Sequence, residues 1–162
     1  MTMPDYAAFF RAEQPRMVAM VMALTGNVEL ARDIAQEALL RAYTRWDVVS
    51  DLDKPGAWLR RVTINLTWTE HRRKGREDRA VQRVGEADPD PLLPGEPTSD
   101  RFWARVRQLP DRQRAVVALH YLDDLSIAEV ADILDCAEGT VKSLLFKART
   151  RLAEVLAEEV AS

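Results

Sequence analysis

The residues best suited to chemistry lie near the C-terminus, where residues 139–153 include four basic side chains and no acid. If this segment is helical, one face presents basic, hydroxyl and aromatic side chains: Lys142, Ser143, Phe146, Lys147 and Thr150. Such side chains bind phosphates and base edges in the major groove of DNA. An amphipathic helix with a solvated basic face is the alternative, but an exposed aromatic side chain is typical of a contact site. The segment is therefore a candidate DNA-reading helix.

A short helix and a tight turn must position this segment. Ser126, followed three residues later by Glu129, forms a capping box, which predicts the start of a helix. Apolar residues recur at helical spacing as far as Leu134, and residues 135–137 form a turn. A second helix begins near Glu138 and buries one stripe: Val141, Leu145, Ala148 and Leu152. Two helices joined by so short a turn predict a helix-turn-helix.

The rest of the sequence also follows helical periodicity, with no alternating run long enough to predict a sheet. In the N-terminal half we expect three helices, over residues 6–24, over residues 28–46 and from Pro55 onward. In the C-terminal half we expect one helix with Asp100 as its N-cap and another over residues 112–122. The predicted fold class is all-α.

Composition divides the chain into two small helical domains joined by a flexible linker. Residues 85–99 contain four prolines, four acids and no lysine or arginine. Prolines at this density interrupt helices, and a structureless loop of this length inside one domain is uncommon. The predicted boundaries are residues 1–79 for the first domain, 80–99 for the acidic, proline-rich linker and 100–162 for the helix-turn-helix domain.

Bulk properties and side-chain chemistry narrow the classes of function. The net charge is −3 and the pI about 5.5, so DNA binding would depend on local basic patches. One cysteine, Cys136, and two distant histidines, His71 and His120, predict no disulfide, metal site or cofactor. Without a Ser-His-Asp arrangement or a phosphate-binding glycine loop, an enzyme is the least favoured class. With no signal peptide and no membrane-length apolar run, we expect a cytoplasmic protein without membrane insertion.

The sequence EGTVKSLLFKARTRL, residues 138–152, closely resembles the recognition helix in the fourth region of extracytoplasmic-function (ECF) sigma factors. Residues 109–134 resemble the helices that precede it in that family. The resemblance implies an alternative sigma factor, which binds core RNA polymerase and directs it to promoter DNA. It assigns reading of the −35 element to Lys142, Ser143, Phe146 and Lys147, with Thr150 on the same face. Leu144 departs from the arginine common in the family, so one backbone contact is lost or replaced by packing.

The segment from Trp58 to Asn65, followed by residues 71–74, resembles the helix that contacts the −10 element in the same family. There, an asparagine at this position and the preceding loop, here residues 48–54, hold a flipped base. The resemblance gives these candidates for −10 recognition: Asn65, Trp68, His71, Arg72 and Arg73. Trp68 either stacks on a base or lies in the core. Thr69 departs from the aspartate common in the family, which leaves the details of the −10 contact open.

The sequence DIAQEA, residues 33–38, resembles a motif in the second sigma region that docks on a coiled coil of the largest polymerase subunit. The candidate docking residues lie along one helix edge: Asp33, Gln36, Glu37 and Arg41. Taken alone, such an edge is more often plain solvated surface. The implied partners are core RNA polymerase and promoter DNA, with an anti-sigma factor as a further candidate. The rival interpretations are a DNA-binding regulator that never joins polymerase and a helical protein-interaction module.

Overall fold

The computed structural model describes residues 3–81 and 97–161, and every secondary-structure element in these ranges is a helix. The chain forms two compact units, one containing each range. The all-α prediction is therefore confirmed. Most of the expected linker, residues 82–96, lies outside the described residues. The flexibility predicted for it therefore stays a prediction.

Within residues 3–81 the N-terminal unit contains four helices: α1 Met3–Thr25, α2 Val28–Thr44, α3 Trp46–Val49 and α4 Pro55–Val81. Helix α1 ends where Gly26 adopts a left-handed backbone with φ 70°, a conformation that glycine reaches without a steric penalty. Asn27 then caps α2, because its side-chain oxygen accepts the N–H of Leu30 at 3.0 Å. Pro55 begins α4 as expected, since a first helical turn needs no N–H there.

Helices α1, α2 and α4 pack around an apolar core. Ala38 of α2 is fully buried in one cluster with Met17 of α1 and Leu59 of α4. The buried side of α4 also carries Thr63 and Thr67, whose hydroxyls donate to the carbonyls of the residues four positions earlier. These polar side chains are therefore satisfied by their own helix and do not oppose packing.

An aromatic cluster closes this core near the start of α1. Tyr6 and Phe9 contact Trp46, with ring centroids 5.4 and 5.1 Å away. The hydroxyl of Tyr6 donates to the carbonyl of Leu39 at 2.8 Å, and burial raises the pKa of Tyr6 above its ordinary value. The second helix, expected to run through Trp46, ends at Thr44, because the backbone leaves the helix at the next residue and the indole packs on the cluster.

A buried ion pair connects α1 to the start of α4. Nη1 of Arg60 lies 3.2 Å from Oε2 of Glu13, and the two side chains are only 6% and 12% exposed. The same nitrogen donates to the carbonyl of Gly56 at 2.9 Å. A Cβ at position 56 would lie 2.9 Å from this nitrogen, so glycine leaves the space that the guanidinium occupies.

Within residues 97–161 the C-terminal unit contains five helical elements: α5 Pro97–Val106, α6 Asp111–Val117, a π-helical turn Ala118–Leu122, α7 Ile127–Leu134 and α8 Glu138–Ala161. Its core includes Val117, Leu119 and Leu145, all at most 1% exposed. Arg114 is buried and donates twice to the carbonyl of Leu109, which closes the connection between α5 and α6. Burial lowers the pKa of Arg114, but a guanidinium stays charged at neutral pH.

The expected helix-turn-helix is confirmed in geometry. The hydroxyl of Ser126 accepts the N–H of Glu129 at 3.1 Å, and that carboxylate accepts the N–H of Ser126 at 3.2 Å, which completes the capping box. Helix α7 ends at Leu134, and its C-cap, Asp135, adopts a left-handed backbone with φ 54°. Helix α8 then begins at Glu138, and its buried stripe is the expected one: Val141, Leu145, Ala148 and Leu152.

Two boundaries in this unit differ from the sequence-based expectation. Asp100 is not an N-cap, because α5 begins three residues earlier at Pro97, a residue that suits a first helical turn. The single helix expected over residues 112–122 is interrupted, because its last five residues form a π-helical turn. In that turn the N–H of Asp123 donates to the carbonyl of Ala118, five residues earlier.

Substituting Ser126 by alanine should lower the free energy of unfolding of the C-terminal unit by about 1 kcal/mol, because an N-terminal N–H of α7 loses its acceptor. Urea denaturation followed by circular dichroism measures this loss. Ser143→Ala, which removes a hydroxyl from the exposed face of α8, is the matched control and should change stability by less than about 0.5 kcal/mol. Equal losses in both variants would contradict the role assigned to the capping box.

Candidate nucleic-acid interface

The five residues expected to read the −35 element share the outward face of α8, and all of them are exposed: Lys142, Ser143, Phe146, Lys147 and Thr150. The ring of Phe146 is 70% exposed, although an apolar side chain of this size is usually covered by a partner. The hydroxyl of Thr150 donates to the carbonyl of Phe146, so it can only accept from a ligand. Leu144 lies half-buried toward the core, which favours packing over a DNA contact at this position.

This face borders a groove of about 480 Å³. One wall belongs to α8 and carries Phe146, Lys147, Thr150, Arg151 and Glu154. The other wall is formed around the start of α6 by Gln108, Pro110 and Gln113. The groove places amide side chains beside basic ones, a combination that can bind both base edges and phosphates.

The second candidate surface is the outward side of α4. Asn65 is exposed there, and Arg61 and Thr69 lie one turn before and one turn after it on the same side. The hydroxyl of Thr69 donates to the backbone carbonyl of Asn65 at 2.9 Å, so its proton is satisfied within α4. Arg72, two turns beyond Asn65, is also exposed. An asparagine amide flanked by two arginines is suited to holding a base between phosphate contacts.

Two aromatic rings and an ion pair stand beside this surface. The rings of Trp68 and His71 meet edge to face, with centroids 6.4 Å apart, and Trp68 is half-buried while His71 is exposed. Trp68 thus lies at the border between core and surface, so both alternatives for its role stay open. Arg73 pairs with Glu70 at 2.9 Å, and a DNA contact by Arg73 must compete with that carboxylate.

The docking edge expected from the sequence follows the outward side of α2, and the four residues predicted to form it are all exposed: Asp33, Gln36, Glu37 and Arg41. Glu37 and Arg41 form an ion pair at 3.0 Å. Leu40, which the sequence analysis did not select, lies on the same edge of α2 and is 52% exposed. Tyr43 continues the edge with 44% exposure. A leucine and a tyrosine bordered by charged groups resemble the apolar centre and polar rim of a protein interface.

Two family models match this chain: Sigma-70 region 2 over residues 9–77 and Sigma-70, region 4 over residues 99–152. The chain is also 33% identical over 147 residues to the ECF RNA polymerase sigma factor SigW of Bacillus subtilis, covering 82% of this chain and 79% of that protein. The chain belongs to the ECF sigma factor family. It is therefore an alternative sigma factor, which directs RNA polymerase to promoters.

Other ECF sigma factors support this assignment. The ECF RNA polymerase sigma factor SigL of Mycobacterium tuberculosis is 36% identical over 143 residues, covering 85% of this chain and 80% of that protein. Among solved structures, the sigma factor RpoE of Bartonella quintana in complex with the anti-sigma factor NepR aligns with a TM-score of 0.80 and 26% identity. That alignment covers 94% of this chain and 97% of the other.

Sequence reasoning about this ECF sigma factor missed two kinds of residue. Leu40 could have been found, because it interrupts the polar face of α2 opposite the buried alanines. Gln108 and Gln113 carried no such signal, since only the packing of α6 against α8 brings them beside the exposed basic face of α8. Among residues 3–81 and 97–161, no cluster of acids, histidines and cysteine is placed to hold a metal, and no helix is long and apolar enough to cross a membrane.

Proposed function

We propose that this sigma factor reads the −35 element with α8 and the −10 element with the outward side of α4. The −35 contacts are assigned to Lys142, Ser143, Phe146, Lys147 and Thr150, and the exposed ring of Phe146 is the observation that carries this assignment. The −10 contacts are assigned to Asn65, Trp68, His71, Arg72 and Arg73. Val48 and Leu52, 60% and 39% exposed in the segment before α4, provide an apolar wall for a base that leaves the duplex.

The polymerase contact is assigned to the α2 edge formed by Asp33, Gln36, Glu37 and Arg41, with Leu40 at its centre. Charged residues around an apolar centre favour a partner helix of complementary charge. We assign region 2 to residues 1–79, the linker to residues 80–99 and region 4 to residues 100–162. The protein acts in the cytoplasm, where polymerase works, and has no catalytic activity of its own.

An anti-sigma factor is proposed as a further partner. The solved RpoE of Bartonella quintana is bound to the anti-sigma factor NepR, and this chain aligns with nearly all of it. The exposed apolar residues of the α2 edge, Leu40 and Tyr43, would suit such a partner as well as polymerase. Competition between an anti-sigma factor and core polymerase for this edge would follow from a shared surface.

Run-off transcription with purified bacterial core polymerase tests the proposal. A pool of promoter fragments is transcribed with and without this chain. Initiation that depends on the chain, at fragments sharing −35 and −10 motifs, is the expected result, and the enriched fragments then identify both motifs. A competent core that neither binds the chain nor initiates with it would refute the proposal and favour a DNA-binding regulator that never joins polymerase.

Lys147→Ala should lower initiation from the cognate promoter about tenfold, because one base or phosphate contact is lost at about 1–3 kcal/mol. Binding to core polymerase should not change, since Lys147 lies on α8 and the docking edge on α2. Run-off yield and core-binding affinity are measured on the same preparations. Arg101→Ala, which removes an exposed charge from α5, is the control and should retain activity. Loss of core binding by Lys147→Ala would refute its assignment.

A further inference from the structure

The outward side of the π-helical turn holds a contact to α8 that the −35 assignment does not use. The Nε–H of Arg149 donates to the hydroxyl of Tyr121 at 2.6 Å. The guanidinium carbon also lies 5.6 Å from the centroid of the Tyr121 ring, within the range of a cation–π contact. Both side chains are exposed, so neither is held by the core. This pair connects two elements that the chain separates by 28 positions.

The π-helical turn sets the position of Tyr121. A π-helix adds a residue to each hydrogen-bonded turn and so rotates the side chains that follow it, and such turns are frequent at functional sites. The turn is braced by His120, whose Nδ1 lies 2.8 Å from the carbonyl of Leu125. Because a carbonyl only accepts, Nδ1 must donate in this bond. The ring of His120 also packs edge to face against Tyr121, with centroids 4.9 Å apart. Tyr121 is therefore held before any ligand arrives.

Arg149 occupies a distinctive place on the reading helix. It lies seven residues after Lys142, which is about two helical turns, so the two cations are aligned on one side of α8. In a helix-turn-helix the N-terminal part of the second helix contacts base edges. At about 100° per residue, Arg149 falls at one edge of the face formed by the five assigned residues, where side chains meet the sugar-phosphate wall of the groove.

The hydrogen bond to Tyr121 also determines which donors Arg149 can offer. A guanidinium carries five N–H groups, and the Nε–H is the one engaged by the tyrosine hydroxyl. The two terminal NH₂ groups are not used in this bond, and together they can bind a phosphate through two hydrogen bonds. An arginine held in this way loses less side-chain entropy on binding than an unrestrained one.

We propose that Arg149 binds a DNA phosphate beside the −35 element and that Tyr121 is the positioning residue that orients it. The proposal rests on the assignment of α8 to −35 reading and adds an anchor outside the five assigned residues. Arg149 would contact the phosphate backbone and no base. It would therefore fix the register of α8 in the groove without selecting a sequence.

The test uses the full-length chain assembled with core polymerase and a fluorescent promoter duplex that contains the −35 element. Affinity is measured over a series of salt concentrations for the wild type, Arg149→Ala, Arg149→Lys, Tyr121→Phe and the double variant Tyr121→Phe/Arg149→Ala. Loss of one phosphate contact should reduce the slope of log affinity against log salt by about 0.9 in Arg149→Ala. Arg149→Lys, which retains the charge but not the Nε donor, should keep the wild-type slope and bind several-fold more weakly.

Tyr121→Phe should weaken binding about threefold to tenfold in the wild-type background, because it removes one hydrogen bond to a charged group in an exposed setting. In the Arg149→Ala background the same substitution should have almost no effect, since nothing remains to be oriented. An unchanged salt slope in Arg149→Ala, or an equal loss from Tyr121→Phe in both backgrounds, would overturn the proposal. Failure of the sigma assignment itself gives a different result, because the wild-type complex would then show no preference for a −35 duplex over a scrambled one.

Discussion

Substituting Leu40 by aspartate should weaken binding of the chain to core RNA polymerase by at least about thirtyfold, because a buried central residue of an interface contributes about 2 kcal/mol or more. The side chain is half exposed on α2 and surrounded by the charged docking edge, so the fold does not need it. A carboxylate in its place would be desolvated without a partner when polymerase covers the edge. Fluorescence anisotropy with labelled chain and purified core measures the affinity.

The control is Val160→Asp, which introduces the same carboxylate at an apolar residue that is 88% exposed on α8. It should leave core binding unchanged. Leu40→Ala should give an intermediate loss, because it removes apolar contact without adding a charge. If Leu40→Asp binds core as tightly as the wild type while its melting temperature is also unchanged, the docking edge is assigned to the wrong side of α2.

Replacing Arg60 by methionine should lower the free energy of unfolding of the N-terminal unit by about 3–5 kcal/mol, because Glu13 would be left as an unpaired carboxylate in a site where it is almost fully buried. The carbonyl of Gly56 would lose its side-chain donor as well. Urea denaturation at pH 7 measures the change. A unit of this size is marginally stable, so the variant is expected to be largely unfolded at 37 °C.

Arg41→Met is the matched control for this loss. Arg41 also pairs with a glutamate, Glu37, but both side chains are about half exposed, and an exposed pair one helical turn apart contributes about 0.3–0.5 kcal/mol. Glu13→Gln should be less damaging than Arg60→Met, because the amide oxygen can still accept from the guanidinium. Equal losses from Arg60→Met and Arg41→Met would refute the importance of burial at this pair.

The sequence predicted those features whose cause is local. The capping box at Ser126 and the helix start at Pro55 depend on a few neighbouring residues, and each lies where it was expected. The buried stripe of α8 follows from helical periodicity alone, and so does the exposure of Phe146 opposite to it. Helical periodicity likewise predicted the all-α fold class, and the family motifs then assigned the function.

Features that depend on contacts between distant segments could not be predicted. Arg60 and Arg61 are adjacent and identical in type, yet one is buried against Glu13 and the other is exposed. Only the packing of α1 on α4 distinguishes them. The π-helical turn could not be predicted either, because the apolar pattern of residues 118–122 is that of an ordinary α-helix. The contact of Tyr121 with Arg149 depends on that turn, so the sequence did not predict it.

The division into two compact units determines what a melting experiment on this chain reports. A chain with two cores can unfold in two steps, in which case neither one transition temperature nor one free energy describes it. Three of the four tryptophans, at positions 46, 58 and 68, belong to the N-terminal unit, and Trp103 alone belongs to the other. A Trp103→Phe chain would therefore emit from the N-terminal unit only, and subtracting its melting curve from that of the wild type would isolate the helix-turn-helix unit by fluorescence.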